Sequence, residues 1–177
     1  SYIYKCKGCR FAFSCPLPST DELQNYYQSG FYVKSDDPSE LQGRMAWANR
    51  RASSQLKLLQ RFLPSHVDGL KAFEFGCSEG SMLSLLQNLG FDVYAYEPDS
   101  RMAVLANSRL QGDGRVVNAL FQDEDFVQDS YDLIVSSHVL EHLLDPCNHL
   151  LSVKNALRKD GILFLEIPNQ YALNNYV

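Results

Sequence analysis

The chain has 177 residues, of which 45% are hydrophobic and 21% charged, and its net charge is −5. This length suits one domain with its own core, the composition argues against disorder, and no apolar run approaches a membrane span. The negative charge and the dispersed Lys and Arg residues argue against a nucleic-acid partner, because phosphate contacts need clustered basic side chains. Five cysteines at irregular spacing, with no secretory signal, favour reduced thiols and the cytoplasm.

The first part of the chain is irregular and aromatic. Residues 1–38 contain a Cys-x-x-Cys pair and the aromatic side chains Tyr26, Tyr27, Phe31 and Tyr32. Residues 39–68 repeat apolar side chains at helical spacing up to Pro64, which predicts one or two amphipathic helices. Because the chain opens without Met and closes soon after a predicted strand, we expect it to be part of a longer protein.

From residue 69 to residue 177, strand and helix patterns alternate. Short apolar runs predict strands at residues 72–77, 91–96, 115–118, 131–137 and 161–167. Helices are predicted at residues 81–89, 100–110 and 150–157. Such alternation is typical of an α/β domain with a parallel sheet.

The turn after the first of these strands carries Gly76 and Gly80. Parallel sheets bind ligands at the carboxyl ends of their strands, where glycine lets the backbone approach the ligand. Glu97 ends the next strand about 20 residues later, where an acidic side chain accepts hydrogen bonds from ribose hydroxyls. A dinucleotide fingerprint would need a glycine at Ser78, so a nucleotide-sugar oxidoreductase is disfavoured.

Four motifs in order resemble those of class I (Rossmann-like) methyltransferases. They are Glu74-Phe75-Gly76-Cys77-Ser78-Glu79-Gly80, Leu120-Phe121-Gln122-Asp123, the stretch from Tyr131 to Pro146, and Gly161-Ile162-Leu163-Phe164-Leu165-Glu166-Ile167-Pro168-Asn169. The resemblance implies a sheet of order 3-2-1-4-5-7-6 with helices on both faces, of which this chain supplies the first five strands. It also implies S-adenosylmethionine as the methyl donor and S-adenosylhomocysteine as the product.

The resemblance assigns parts of the cofactor to particular residues. The methionine portion would lie against the glycine loop, Glu97 would hold the ribose, and the sulfonium would lie near the end of the fourth strand. The inferred cofactor-binding residues are Glu74, Gly76, Cys77, Ser78, Gly80, Glu97, Pro98, Phe121, Gln122, Ser137 and His138.

Glu141 and His142 are the candidate catalytic residues, with His142 as the general base for a poorly acidic acceptor. Two other interpretations stay open: the pair caps the following helix, or it joins a metal site. Related enzymes with a metal here have Glu in place of His138, so no metal ligand is assigned.

We expect O- or C-methylation of a small-molecule or sugar acceptor. A methyltransferase-like binding module without activity is the alternative, and the oligomeric state cannot be read from the sequence.

The pair Cys6 and Cys9 has the spacing of one zinc knuckle. The segment from Tyr4 to Tyr27 resembles the second half of the zinc ribbon that precedes the catalytic domain in some bacterial methyltransferases. Zinc is therefore expected only in an intact protein with a further cysteine pair upstream, and metal-free thiols in this chain. Tyr26, Tyr27, Phe31, Tyr32 and the helix around Trp47 are predicted to form a lid over the cofactor, and packing in the core is the alternative for these aromatic side chains.

Overall fold

The chain folds into a parallel sheet covered by helices and preceded by a small hairpin. The structure, a computed structural model, describes residues 2–29, 38–112, 114–122 and 125–169. In these ranges the elements are β1 (Tyr2–Lys5), β2 (Ala12–Cys15), α1 (Thr20–Gln28), α2 (Pro38–Leu59), β3 (Lys71–Phe75), α3 (Ser81–Asn88), β4 (Asp92–Tyr96), α4 (Ser100–Arg109), β5 (Arg115–Val117), β6 (Tyr131–Ser137), a 3-10 turn (Leu140–His142), α5 (Pro146–Ala156) and β7 (Leu157–Glu166).

The main sheet has the strand order β5-β4-β3-β6-β7, and every neighbouring pair is parallel. Counted from β3, this is the order 3-2-1-4-5, so the predicted methyltransferase sheet is confirmed for these five strands. The register pairs Phe75 with Tyr96 on one side and with Ser136 on the other. The strands β3, β4 and β6 therefore end at the same edge, where open α/β sheets bind ligands.

Alternation along the strands sends neighbouring side chains to opposite faces of the sheet. Phe73 and Phe75 of β3 lie on the face that α5 covers with Val153 and Ala156. Ala72 lies on the other face, which α2, α3 and α4 cover. Helices thus pack on both faces, and each fully buried leucine in these layers contributes about 1.5–3 kcal/mol to folding.

Helix α2 is a single helix of 22 residues. Its buried side chains, Ala52, Leu56 and Leu59, belong to the same core cluster as α3 and the sheet. This docking carries Arg51 and Gln55 to the ends of β6 and β7, where both hydrogen-bond to side chains of those strands.

Helix α1 forms in a segment that the sequence analysis treats as irregular. Ser19 caps it, since its hydroxyl accepts from the backbone N–H of Glu22 at 3.2 Å and its own N–H donates to the Glu22 carboxylate at 2.7 Å. This capping box satisfies two N–H groups at the start of the helix. None of the residues of α1 is buried, so no buried apolar stripe marks the helix in the sequence.

Two elements begin earlier than the sequence pattern indicates. Helix α5 begins at Pro146 because the Asp145 carboxylate accepts from the N–H of Asn148 at 3.0 Å, and proline suits the first helical position. Strand β7 begins at Leu157, which pairs with Tyr131 across a register shift.

Some predicted features lie outside the described residues. Tyr26 and Tyr27, two of the aromatic residues assigned to a lid, are on α1, whereas Phe31 and Tyr32 fall in an undescribed range. Asp123 of the predicted adenine segment is also undescribed. In the ranges that the structure describes, no helix is both long and apolar enough to cross a membrane.

Candidate functional site

The turn from β3 into α3 contains three residues with positive φ: Gly76 (57°), Ser78 (50°) and Gly80 (78°). A Cβ on Gly76 would lie 3.0 Å from Cγ2 of Val139, so the turn after β6 comes too close for a larger residue. Ser78 replaces a glycine of the family pattern and still adopts the left-handed conformation, at a cost of about 1–2 kcal/mol.

Glu97 follows β4, and backbone N–H groups hold both of its carboxylate oxygens. Oε2 accepts from the N–H of Ser78 at 2.8 Å, and Oε1 accepts from the N–H of Asp99 at 2.9 Å. Burial raises the pKa of Glu97 to about 7, although these hydrogen bonds act in the opposite direction. Each oxygen can accept a second hydrogen bond, so a pair of vicinal hydroxyls in the adjoining cavity can bind to it.

Glu74 and Glu79 are buried close to Glu97. Burial, followed by the charges of the other two glutamates, raises the pKa of Glu74 to about 8. Glu79 accepts hydrogen bonds from the hydroxyls of Ser78 at 2.8 Å and Ser81 at 2.6 Å. Oε2 of Glu74 has no hydrogen-bond partner in the described part of the chain. A buried carboxylate oxygen beside two other carboxylates favours the binding of a positively charged group.

Two cavities open at this edge of the sheet, and Gly76, Ser78 and His138 line both of them. The larger cavity has a volume of about 310 Å³ and is lined by Glu97. The smaller one has a volume of about 160 Å³ and is lined by Glu74. Because the cavities share three lining residues, they adjoin, and we refer to the two together as the cleft.

An aromatic cluster supports one wall of the larger cavity. The Phe121 ring lines this cavity, and its centroid lies 4.8 Å from that of Phe75, 5.1 Å from that of Tyr96 and 4.6 Å from that of Phe126. Leu120 and Gln122, its neighbours in sequence, line the same cavity, as does Pro98 after β4. The packed aromatic rings give this part of the cavity an apolar wall.

Helix α2 lines the smaller cavity with six side chains, of which only Trp47 belonged to a segment predicted to lie over the cofactor. They are Arg44, Trp47, Ala48, Arg51, Ala52 and Gln55. The Arg51 guanidinium carbon lies 5.4 Å from the centroid of the Trp47 ring, a cation–π contact. Two basic side chains and the Glu74 carboxylate therefore line the same small volume, which suits a zwitterion.

A hydrogen-bond network ties α2 to the ends of β6 and β7. Arg51 donates to Oε1 of Glu166 at 2.8 Å and to the Ser137 hydroxyl at 2.7 Å. Gln55 donates to Oε2 of Glu166 at 2.6 Å and to the same hydroxyl at 2.9 Å. Partial burial acts to raise the pKa of Glu166, but the hydrogen bonds from Gln55 and Arg51 lower it. The network holds α2 in place along the cavity.

The turn after β6 brings His138, Glu141 and His142 together. His138 has a φ of 57°, and its two ring nitrogens lie 3.4 Å from Oε1 of Glu141 and 3.3 Å from Oε1 of Glu166. Nε2 of His142 lies 3.9 Å from Oε1 of Glu141, beyond hydrogen-bonding distance. His142 lines the larger cavity, whereas Glu141 lines neither cavity.

Ten of the eleven inferred cofactor-binding residues line one or both cavities. The exception is Gly80, where a Cβ would lie 3.0 Å from the Cα of Ala106, so this glycine allows α4 to pack against the loop. Cys77 lines the smaller cavity, and burial raises the pKa of its thiol well above the usual range. The thiol therefore stays protonated and is a poor nucleophile.

The hairpin of β1 and β2 places Cys6 and Cys9 in its turn. The N–H of Cys6 donates to the carbonyl of Phe11 at 2.8 Å, and the N–H of Arg10 donates to the carbonyl of Cys6 at 2.9 Å. Across the described ranges, no group of three or more His, Cys, Asp or Glu side chains is arranged to hold a metal ion. The zinc ribbon remains a prediction about a longer protein.

A family profile and several methyltransferases are similar in sequence to this chain. A sequence profile described as a methyltransferase domain matches residues 46–176. The ubiquinone biosynthesis O-methyltransferase of Glaesserella parasuis is 29% identical over 114 residues, which cover 59% of this chain and 48% of that protein. The protein of the same name from Actinobacillus pleuropneumoniae serotype 7 is 26% identical over 110 residues, covering 58% and 47%. The chain spans about half the length of these curated relatives.

Solved structures share the fold. A TehB-like S-adenosylmethionine-dependent methyltransferase from Corynebacterium glutamicum has a TM-score of 0.53 at 24% identity, covering 72% of each chain. Phosphoethanolamine N-methyltransferase 2 of Haemonchus contortus, solved with S-adenosylhomocysteine, has a TM-score of 0.51 at 22% identity, covering 63% of this chain and 27% of that one. Since the profile match extends over more than half of the chain, the chain belongs to the methyltransferase domain family, in its class I, S-adenosylmethionine-dependent branch.

Proposed function

We propose that the protein transfers a methyl group from S-adenosylmethionine to a small-molecule acceptor. The observation that carries this proposal is a cleft with Glu97, held by two backbone N–H groups, in its larger part and the unpartnered carboxylate of Glu74 in its smaller part. When bound, S-adenosylmethionine supplies a methyl group on a positively charged sulfur.

The smaller cavity would hold the methionine portion of the cofactor. Glu74 has an oxygen without a partner among the described residues and a raised pKa, so an ammonium group would relieve its unfavourable burial. Arg44 and Arg51 line the same cavity and would favour the carboxylate of the same ligand. The side chains present therefore fit a zwitterionic tail.

The larger cavity would hold the adenosine portion. Glu97 would accept hydrogen bonds from the two ribose hydroxyls with the lone pairs that its backbone donors leave free. The wall formed by Phe121 and Gln122 would contact adenine, with a flat apolar ring beside a polar amide. Ser137 and His138 lie where β6 ends, and His138 lines both cavities. These two residues would line the sulfonium end of the cofactor.

The residues of the cleft would act mainly by positioning. Methyl transfer is an in-line displacement, so the protein has to align the acceptor with the methyl carbon and exclude water. His142 lines the larger cavity and would accept the proton of a hydroxyl acceptor. Glu141 is 3.9 Å from the His142 ring and would stabilise the imidazolium that forms.

We propose oxygen as the acceptor atom. The relatives from Glaesserella parasuis and Actinobacillus pleuropneumoniae are named O-methyltransferases, and His142 in the cavity wall suits a hydroxyl that must lose a proton. A sugar hydroxyl and an apolar hydroxyl compound both meet this requirement. A reducing compartment, the cytoplasm, is proposed on the five free cysteines.

Calorimetry with S-adenosylmethionine and S-adenosylhomocysteine tests the proposal and separates it from a binding module that has lost the cofactor. We expect one binding site for each ligand and a loss of at least tenfold in affinity for Glu97→Gln, because two charge-assisted hydrogen bonds are weakened. Asp92→Asn is the matched control, since Asp92 is exposed at the opposite end of the same strand. No binding by the unsubstituted protein would refute the proposal.

Substitution of His142 tests the proton acceptor. With a hydroxyl acceptor, His142→Ala should lower kcat by about 10²–10⁴-fold, the usual contribution of a general base, and leave the affinity for S-adenosylhomocysteine unchanged. Unchanged turnover would remove the general-base role and leave His142 as a residue of the cavity wall, since Asp145 caps the following helix.

A further inference from the structure

Two side chains of α2 meet the paired ends of β6 and β7. Ser137 ends β6, Glu166 ends β7, and the register pairs these two residues. Arg51 and Gln55 lie about one turn apart on α2, and each donates both to the Glu166 carboxylate and to the Ser137 hydroxyl. The four side chains therefore close a ring of hydrogen bonds, which we name the Glu166 clamp.

Chemistry fixes which group donates in each hydrogen bond of the Glu166 clamp. Although partial burial acts to raise the pKa of Glu166, the hydrogen bonds from Gln55 and Arg51 lower it, so the carboxylate is ionised at neutral pH. An ionised carboxylate only accepts, and a guanidinium only donates. The Gln55 amide must therefore turn its nitrogen, and not its oxygen, toward Oε2 of Glu166, which lies 2.6 Å away.

The Ser137 hydroxyl accepts two hydrogen bonds as a result. Its oxygen accepts from Arg51 at 2.7 Å and from Gln55 at 2.9 Å, which occupies both lone pairs of a hydroxyl. The hydroxyl proton must therefore be directed away from both donors. Within the ranges that the structure describes, this proton has no acceptor.

The smaller cavity lies beside the Ser137 hydroxyl. Ser137 lines this cavity together with Arg44 and Arg51. An O–H bond turned toward a cavity presents its positive end, which attracts an anion and repels a sulfonium. The hydroxyl and the two guanidinium groups therefore favour the same kind of ligand group, a carboxylate.

We propose that Glu166 is a positioning residue for cofactor binding, which fixes the Ser137 hydroxyl as a hydrogen-bond donor to the carboxylate of the methionine portion. This inference rests on the proposed function. Glu166 lines neither cavity, so it acts through Gln55, whose orientation it sets. Ser137 then contacts the carboxylate and not the sulfonium, whereas His138, which lines both cavities, stays at the sulfonium end.

Glu166→Gln reverses the direction of these hydrogen bonds at nearly constant size. Because Arg51 can only donate, the new amide keeps its oxygen toward Arg51 and turns its nitrogen toward Gln55. Gln55 must then present its oxygen, which also lies beside the Ser137 hydroxyl. The Ser137 proton is donated to this oxygen and no longer reaches the cavity.

Calorimetry with S-adenosylhomocysteine and with its decarboxylated analogue, which keeps the ammonium group, tests the proposal. Ser137→Ala should raise the Kd of S-adenosylhomocysteine about tenfold or more, the effect of losing one hydrogen bond to a charged group. The Kd of the decarboxylated analogue should change by less than about twofold, since it has no carboxylate to lose that bond. Glu166→Gln should show the same pattern, and the losses should not add in the double variant, because both changes remove the same donor.

Ser54→Ala and Glu40→Gln are the matched controls. Both residues are exposed on α2 and line neither cavity, and the Ser54 hydroxyl donates to the carbonyl of Arg50 within the helix. Neither change should alter the Kd of either ligand. Ser137→Ala removes a single oxygen atom, so it tests the proposal even if Glu166→Gln fails to fold.

Three results would overturn the proposal. They are an unchanged Kd of S-adenosylhomocysteine in Ser137→Ala, equal losses for both ligands, which would mean a structural role only, and losses that add in full in the double variant. Failure of the unsubstituted protein to bind S-adenosylhomocysteine is a separate result, which refutes the proposed function.

Discussion

Binding of S-adenosylhomocysteine should become tighter as the pH rises from 5.5 to 7.5. In the free protein, burial and neighbouring carboxylates raise the pKa of Glu74 to about 8, so this side chain is mostly protonated at neutral pH. An ammonium group binds to the ionised carboxylate, and a proton must therefore leave when the ligand binds. The product is the better probe because the ammonium is its only cationic group.

The size of the effect follows from the pKa of Glu74. With a pKa of about 8, the Kd of the ligand is proportional to 1 + 10^(8 − pH). Affinity should then rise nearly tenfold for each pH unit and about 75-fold over the whole range. The range stops at pH 7.5 because α-amino groups lose their own proton at about pH 7.7–8.0.

Calorimetry in two buffers of different ionisation enthalpy measures both Kd and the number of protons released. Glu74→Gln should remove the contribution of Glu74 to the pH dependence and leave the smaller contribution of Glu97, whose pKa is about 7, whereas Asp92→Asn, an exposed change at the start of β4, should retain both. Methylthioadenosine has no ammonium group, so the part of the pH dependence that comes from Glu74 should be absent from its binding. A Kd that stays constant with pH, or a full slope in Glu74→Gln, would refute the reasoning.

Three further predictions concern stability. Without ligand, the midpoint of thermal unfolding should fall as the pH rises from 5 to 8, because the folded-state pKa of Glu74 lies above its ordinary value of 4.5. Glu74→Gln should reduce this fall, and an equal fall in the variant would contradict the pKa shift. Ser78→Gly should change the free energy of unfolding in urea by less than about 1 kcal/mol, since relief at a φ of 50° offsets the lost hydrogen bond to Glu79, whereas Ser78→Val should destabilise by more than about 2 kcal/mol. Gly80→Ala should destabilise by about 2–4 kcal/mol in the same assay, because φ is 78° and the new Cβ would meet Ala106; a neutral result would show that α4 can move away.

Most of the sheet could be predicted because its strands are short apolar runs between turn residues. Strand β6 was predicted to the residue, since Tyr131–Ser137 combines an apolar interior with polar ends. The start of β7 was missed because residues 158–160 are charged and lie in the irregular stretch between the pairs Tyr131–Leu157 and Leu133–Ile162. Helix α1 was missed for a related reason: it buries nothing, and only the spacing of Ser19 and Glu22 indicated its start.

The candidate site could be predicted where local motifs carry it. Gly76, Ser78 and Glu97 lie in or next to strand-end turns, so the strand pattern was enough to bring them to one edge of the sheet. For α2, the sequence predicted only that the helix around Trp47 lies over the cofactor, and not which of its side chains reach the sheet. Arg51 contacts Glu166 across 115 positions of sequence, and this contact depends on how the helix docks onto the core.

The position of α2 against the sheet adds residues to the candidate site. The sequence places the cofactor against the loop after β3 and near the helix around Trp47, and the structure adds Arg44 and Arg51 of that helix along the smaller cavity. The family profile begins at residue 46, inside this helix. Helix α2 is therefore part of the candidate site as well as of the core.

A crystal structure of the protein with S-adenosylhomocysteine tests the central claim most directly. The account predicts that the ribose hydroxyls contact the Glu97 carboxylate, that adenine lies against Phe121, and that the ammonium lies within hydrogen-bonding distance of Glu74. A ligand whose ammonium lies away from Glu74, or whose adenine lies beside Leu23 of α1 and away from Phe121, would contradict it.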